Sequence, residues 1–193
     1  MSSTKKTIKT LDIVLVGLFA AITLLGIQIF RIPLPAAIGS PFIHFGNAFV
    51  VLGILFLGGK KGAISGALGL GLFDVLNGYG LYALSTILST LIVALVVSSV
   101  FKLFKRNDKN LGVIAISAAA GGLTNVLYDL IFGTITLLIA GSNLSAAFLV
   151  SASSILATAI NAASTVIIVV LLYFPLKKGF EAIQRNRGTV KEQ

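Results

Sequence analysis

Apolar residues run along this chain in six blocks, each broken by a short cluster of proline, glycine or charge. The blocks cover about 11–30, 43–57, 62–77, 81–103, 111–139 and 144–174. A bilayer core takes about 20 helical residues per crossing, with a range of roughly 17–25. Each block is therefore read as a membrane-spanning helix. The second and third are short for a crossing, and the last two are long enough to tilt or to include a turn. The breaks have an evident chemistry. Arg31 to Pro41 holds Pro33, Pro35 and Pro41, which lack the helical donor. Gly58-Gly59-Lys60-Lys61 and Asn77-Gly78-Tyr79-Gly80 read as turns, Lys102 to Asn110 as a charged loop, and Gly141-Ser142-Asn143 as a short break. Pro175 is expected to end the last span before a basic tail over 175–193. The first apolar run exceeds the roughly 7–15 residues of a signal core, and no clean cleavage site follows, so it reads as a true span.

Composition gives the same picture. The 193 residues are 56% hydrophobic and 11% charged, with mean hydropathy +1.03, against roughly 45–50% and about 25% in soluble domains. A soluble core of this size cannot hide that much apolar surface, and a disordered chain would carry far more charge. The net charge of +9 would suggest nucleic acid in a soluble protein. Here the basic residues lie between apolar blocks, so they set membrane orientation instead. Six crossings put Lys5, Lys6, Lys9, Lys60, Lys61, Lys102, Lys105, Arg106, Lys109, Lys177, Lys178, Arg185, Arg187 and Lys191 on one side and Arg31 alone on the other. The expectation is one all-α membrane domain over 1–193, a compact bundle of six transmembrane helices with both termini cytoplasmic, in the cell membrane of a prokaryote.

Several chemistries are excluded. With no cysteine there are no disulfides, thiolate metal centres or cysteine nucleophiles, and the single histidine, His44, rules out a multi-histidine metal site within the chain. No P-loop, H-E-x-x-H or G-x-S-x-G occurs, and the loops are too short for a nucleotide-binding domain. The chain reads as a non-enzyme with no cofactor and no metal.

What remains is a set of polar groups at membrane depth, where such groups are costly and usually functional. Two acids qualify, Asp74 and Asp129; Asp12 sits at a helix start, where an acid is cheaply placed. Following the helices across the membrane, His44, Asn47, Asp74, Asn77, Tyr79 and Tyr82 fall in the outer part. Asn125, Tyr128 and Asp129 run from middle to outer depth, and Asn161 lies near the middle. Asn125 and Asp129 share a helix face by their i, i+4 spacing. These ten residues are the candidate substrate-binding set of a cavity open to the outside. Several have a plainer reading: Tyr79 and Tyr82 as interfacial belt, His44 as a side chain snorkelling to the outer interface, Asn47, Asn125 and Asn161 as interhelical bonds, and Asp74 as a partner of Arg31. Small residues spaced four apart, Gly17/Ala21 on the first helix and Gly62/Gly66 on the third, suit close helix packing, inside the bundle or against another subunit.

Three stretches carry a family likeness: Ile43-His44-Phe45-Gly46-Asn47-Ala48-Phe49, Leu57-Gly58-Gly59-Lys60-Lys61-Gly62-Ala63, and Leu72-Phe73-Asp74-Val75-Leu76-Asn77-Gly78-Tyr79. Together they resemble the S-components of energy-coupling factor (ECF) vitamin transporters, in the branch labelled riboflavin-type or hydroxymethylpyrimidine-type. The resemblance implies a subunit that captures a vitamin or precursor from outside with high affinity. It then docks on a transmembrane coupling subunit (EcfT-like) driven by two cytoplasmic ATPases and topples in the membrane. It also implies that a small-x-x-x-small motif on the first helix contacts the coupling subunit. Gly17 and Ala21 match, with glycine in place of the more usual alanine. The branch labels point to hydroxymethylpyrimidine or pyridoxine as substrate, with riboflavin next and then pantothenate or folate. The competing readings are an autonomous permease using Asp74 or Asp129 as a proton relay, a membrane enzyme, and a structural subunit with no ligand.

Overall fold

A computed structural model describes residues 10–33 and 42–190, with side chains through 182. Pro35, Pro41, Lys5, Lys6, Lys9 and Lys191 lie outside the described residues, as do the side chains of Arg185 and Arg187. The chain is all-helical. Helices α1 (Thr10–Gln28), α2 (Gly46–Leu57), α3 (Gly59–Leu76), α4 (Ala83–Leu103), α5 (Leu111–Ile139) and α6 (Leu144–Val190) are joined by short links. The link from α1 to α2 contains a two-residue antiparallel pair, β1 (Ile32–Pro33) with β2 (Phe42–Ile43), in which Ile32 opposes Ile43. A 3-10 turn, Gly80–Tyr82, leads into α4.

Among the described residues, four helices are long and apolar enough to cross a membrane: α1, α4 with its leading turn, α5 and α6. The second expected span is corrected at its start. Ile43 belongs to β2, and the helix begins at Gly46. Twelve residues make a rod of about 18 Å, shorter than a hydrocarbon core of about 30 Å. What α2 lacks in length it has in burial. It packs against all five other helices, and Val50, Val51, Leu52, Ile54 and Leu55 are buried. The others follow the order α1, α3, α4, α5, α6 around it. Their outward faces expose residues such as Ile13, Leu84, Leu95 and Leu156, the surface expected of helices in a lipid solvent.

Glycine makes the tight steps. Gly58 alone joins α2 to α3 at φ +83°, and Gly78 holds the same angle after α3, a left-handed conformation that a Cβ makes costly. The Gly62/Gly66 pair is used inside the bundle. A methyl on Gly62 would overlap the backbone of Gly53 and Ile54, and one on Gly66 would strike Val50 and Thr90. Gly69, one turn on, faces the carbonyl of Ala20 and the side chain of Thr23 on α1.

The expected stop at Pro175 is also corrected. α6 continues through it to Val190, so the basic segment after 174 is helical as far as it is described. Proline has no N–H to give the Leu171 carbonyl and would normally break the helix. Packing on both sides holds it in register. Tyr173 and Phe180 stack on Phe56 of α2 at 4.9 and 5.5 Å, and Lys177 pairs with Asp108 of the α4–α5 loop at 2.7 Å. On the same basic end, Lys61 pairs with Asp12 at 2.8 Å.

Candidate functional site

Where α1 and α3 finish and α2 and α4 begin, the bundle opens into a cavity of about 210 Å³. Its apolar wall is Ile27, Phe42, Val50, Leu70, Phe73 and Val93. Its polar wall gathers His44, Asn47, Asp74, Asn125, Tyr128, Asp129 and Asn161 from the residues nominated by sequence, which lie up to 117 positions apart. The basic turns and loop, at Lys60, Lys61 and Lys102–Lys109, belong to the opposite ends of the same helices.

The polar groups are arranged in pairs between helices. Ser89 on α4 donates to Asn125 Oδ1 on α5 at 2.9 Å, which leaves the Asn125 amide NH2 for a ligand. The Tyr128 hydroxyl donates to the Ser85 carbonyl at 3.1 Å. Thr158 on α6 donates to Asp129 Oδ2 at 2.8 Å. Asp129 is exposed, whereas Asp74 is buried. The Gly46 N–H donates to His44 Nδ1 at 3.2 Å. An accepting Nδ1 assigns the proton of the neutral ring to Nε2, which makes His44 a donor at its other nitrogen.

Asn161 is occupied differently. Its Oδ1 accepts from the His44 N–H at 2.9 Å and its Nδ2 donates to the Phe42 carbonyl at 3.0 Å. It borders the cavity, but both ends of its amide are engaged in tying the β2 segment to α6.

Asn77, Tyr79 and Tyr82 are not brought to the cavity wall. Asn77 donates to the Phe73 carbonyl and closes the end of its own helix. Tyr82 is exposed in the 3-10 turn. Tyr79 accepts a hydrogen bond from Arg31 and packs against Phe42 and Phe73. The guanidinium also lies over the Phe42 ring, 4.4 Å from its centroid, so Arg31 forms a cation–π cluster behind the cavity. It forms no ion pair with Asp74, contrary to the structural lock considered from the sequence; the ion pairs among the described residues are those of Lys61 and Lys177.

A family model described as ECF-type riboflavin transporter, S component, matches residues 7–178 of the chain. The chain belongs to this family. No curated protein sequence gives a match. The family is one of transporter subunits and not an enzyme family, the match and the apolar helices make the chain a multi-pass membrane protein, and S-components in general work with EcfT and ATPase modules.

Ser85, Thr86, Ser89 and Thr90 also line the S-component's cavity and were not singled out from the sequence. Their spacing was the available signal, because positions i, i+1, i+4 and i+5 lie along one helix face. On α1, Gly17 and Ala21 are both exposed, and nothing lies within 4 Å of a methyl placed on Gly17. With Ile13 and Leu25 they form an uncovered strip of small and apolar residues at four-residue intervals.

Proposed function

We propose that this S-component captures a small, planar nitrogen heterocycle of the vitamin or vitamin-precursor class, with hydroxymethylpyrimidine or pyridoxine as its substrate. The observation that carries the reading is the cavity. Its aromatic walls (Phe42, Phe73, Tyr128) suit the faces of a flat ring, and its amides, hydroxyls and carboxylates suit the edge. Its volume of about 210 Å³ lies below the roughly 300–1,000 Å³ of sites for drug-sized ligands and favours one ring over a fused three-ring ligand. Riboflavin is the second reading, favoured by the family's own description.

In this account the chain is one domain of six membrane-crossing helices in a prokaryotic cell membrane, with both termini cytoplasmic and the cavity facing outward. The basic residues at the end opposite the cavity support that orientation. The short α2 crosses with the help of the extended segment before it, enclosed by the other helices. The Gly17/Ala21 strip docks on the coupling subunit, where small residues allow close helix contact, and two ATPases supply the energy.

Reconstitution in liposomes tests the division of labour. Uptake of hydroxymethylpyrimidine, pyridoxine or riboflavin is expected only when the coupling subunit, both ATPases and internal ATP are present. Accumulation by the chain alone under a pH gradient would establish the permease reading instead.

A further inference from the structure

Resting on the reading of the cavity as the substrate site, we infer that its wall at Asp74 is a subsite for a basic nitrogen edge. That edge is an amidine-type ring nitrogen with its amino group, or a protonated pyridine nitrogen, and it donates to Asp74.

Among the described residues, the formally charged ones lining the cavity are Asp74 and Asp129, and neither lysine nor arginine joins them. The nearby cation, Arg31, is held aside by Tyr79 and the ring of Phe42. The two acids differ in what they already have. Asp129 is exposed and receives the Thr158 hydroxyl. Asp74 retains 9% exposure; Thr86 bonds to its carboxylate, while its Oδ2 is closed off with no hydrogen-bond partner. A buried acceptor without a donor is an expensive arrangement. It becomes favourable when the carboxylate turns about its Cβ–Cγ bond to bring that oxygen to the cavity and a ligand supplies the missing N–H.

The chemistry of the edge decides which ligand does so. A carboxylate offers acceptors only, so it pairs with an edge that presents N–H donors, and most strongly with a cationic one. An aminopyrimidine protonated on the ring nitrogen next to its amino group presents two parallel donors, and a pyridinium presents one. A flavin's imide edge presents a single N–H flanked by two carbonyls, and those carbonyls would face the carboxylate oxygens in repulsion. An asparagine at the same position could answer one of those carbonyls with its own NH2. Asp74→Asn therefore changes the preference of the site while keeping its shape.

The test is a titration of the purified full-length chain in lipid nanodiscs with 4-amino-5-hydroxymethyl-2-methylpyrimidine, pyridoxine and riboflavin. It uses the wild type, Asp74→Asn and Asp129→Asn. The wild type is expected to bind at least one basic ring more tightly than riboflavin. Asp74→Asn is expected to weaken that binding on the order of 10- to 100-fold, with Asp129→Asn costing less. Tighter binding of riboflavin than of either basic ring, or a loss below about threefold in Asp74→Asn, overturns the inference and leaves the cavity as the substrate site. Binding of none of the three by the wild type overturns both. Gel filtration and thermal unfolding check that the variants fold; if Asp74→Asn does not, the wild-type ranking decides alone.

Discussion

Asn161 shows how far a residue type alone can mislead about its role. From the sequence it is a polar group at mid-membrane depth, fit either to read a ligand or to join helices. In the structure both halves of its amide bind backbone of the segment before α2, at His44 and Phe42. Truncating it would leave one buried donor and one buried acceptor unanswered, each costing about 1–3 kcal/mol. Asn161→Ala is thus expected to lower the thermal midpoint of the purified protein by several degrees and to weaken ligand binding. Asn161→Asp keeps the acceptor for His44 but sets a carboxyl oxygen against the Phe42 carbonyl, so it too is expected to lower the midpoint. A wild-type midpoint in Asn161→Ala would contradict the clasp. This partnership was not legible because it joins residues more than a hundred positions apart. By contrast, the Asn125–Asp129 face was legible from helical spacing, and both residues reach the cavity wall. Arg31 was visible as the lone outer cation, but its choice of Tyr79 and Phe42 over Asp74 depends on three separate segments meeting.

At the scale of elements, two small-residue motifs that look alike in sequence have opposite surroundings. Gly62 lies directly on the backbone of α2, while Gly17 faces open space. Gly62→Ala should overpack the α2–α3 contact and cost about 1–3 kcal/mol, read as a lowered midpoint in thermal unfolding. Gly17→Leu should leave that midpoint unchanged and weaken co-purification with the coupling subunit. A Gly17→Leu protein that still assembles normally would remove α1 from the docking surface. Hydropathy could not separate the motifs, since lipid and a neighbouring helix are both apolar surroundings. For the same reason it could not reveal that the short second block is the central helix. The fifth helix was read with its observed limits, 111–139, because Asn110 and the Gly141 break punctuate it clearly. Pro175 misled because tertiary packing at Tyr173, Lys177 and Phe180 outweighs a local helix-breaking preference.

For the whole molecule, the informative pattern is the separation of its two ends. Basic residues collect where α2, α4 and α6 descend to their loops, and the polar cavity opens where α1 and α3 finish. Charge bias along the sequence was enough to anticipate this polarity, and the family match agrees with the transporter-subunit reading drawn from three short stretches. Unaided binding of the vitamin by this subunit follows from the proposed function. It is tested most directly by purifying the chain alone in detergent, identifying any co-purified small molecule by mass spectrometry, and titrating that molecule back without ATP or partner subunits. The account predicts a single heterocyclic vitamin or precursor, bound saturably at one molecule per chain. A chain that carries nothing and binds none of a panel of water-soluble vitamins would contradict it.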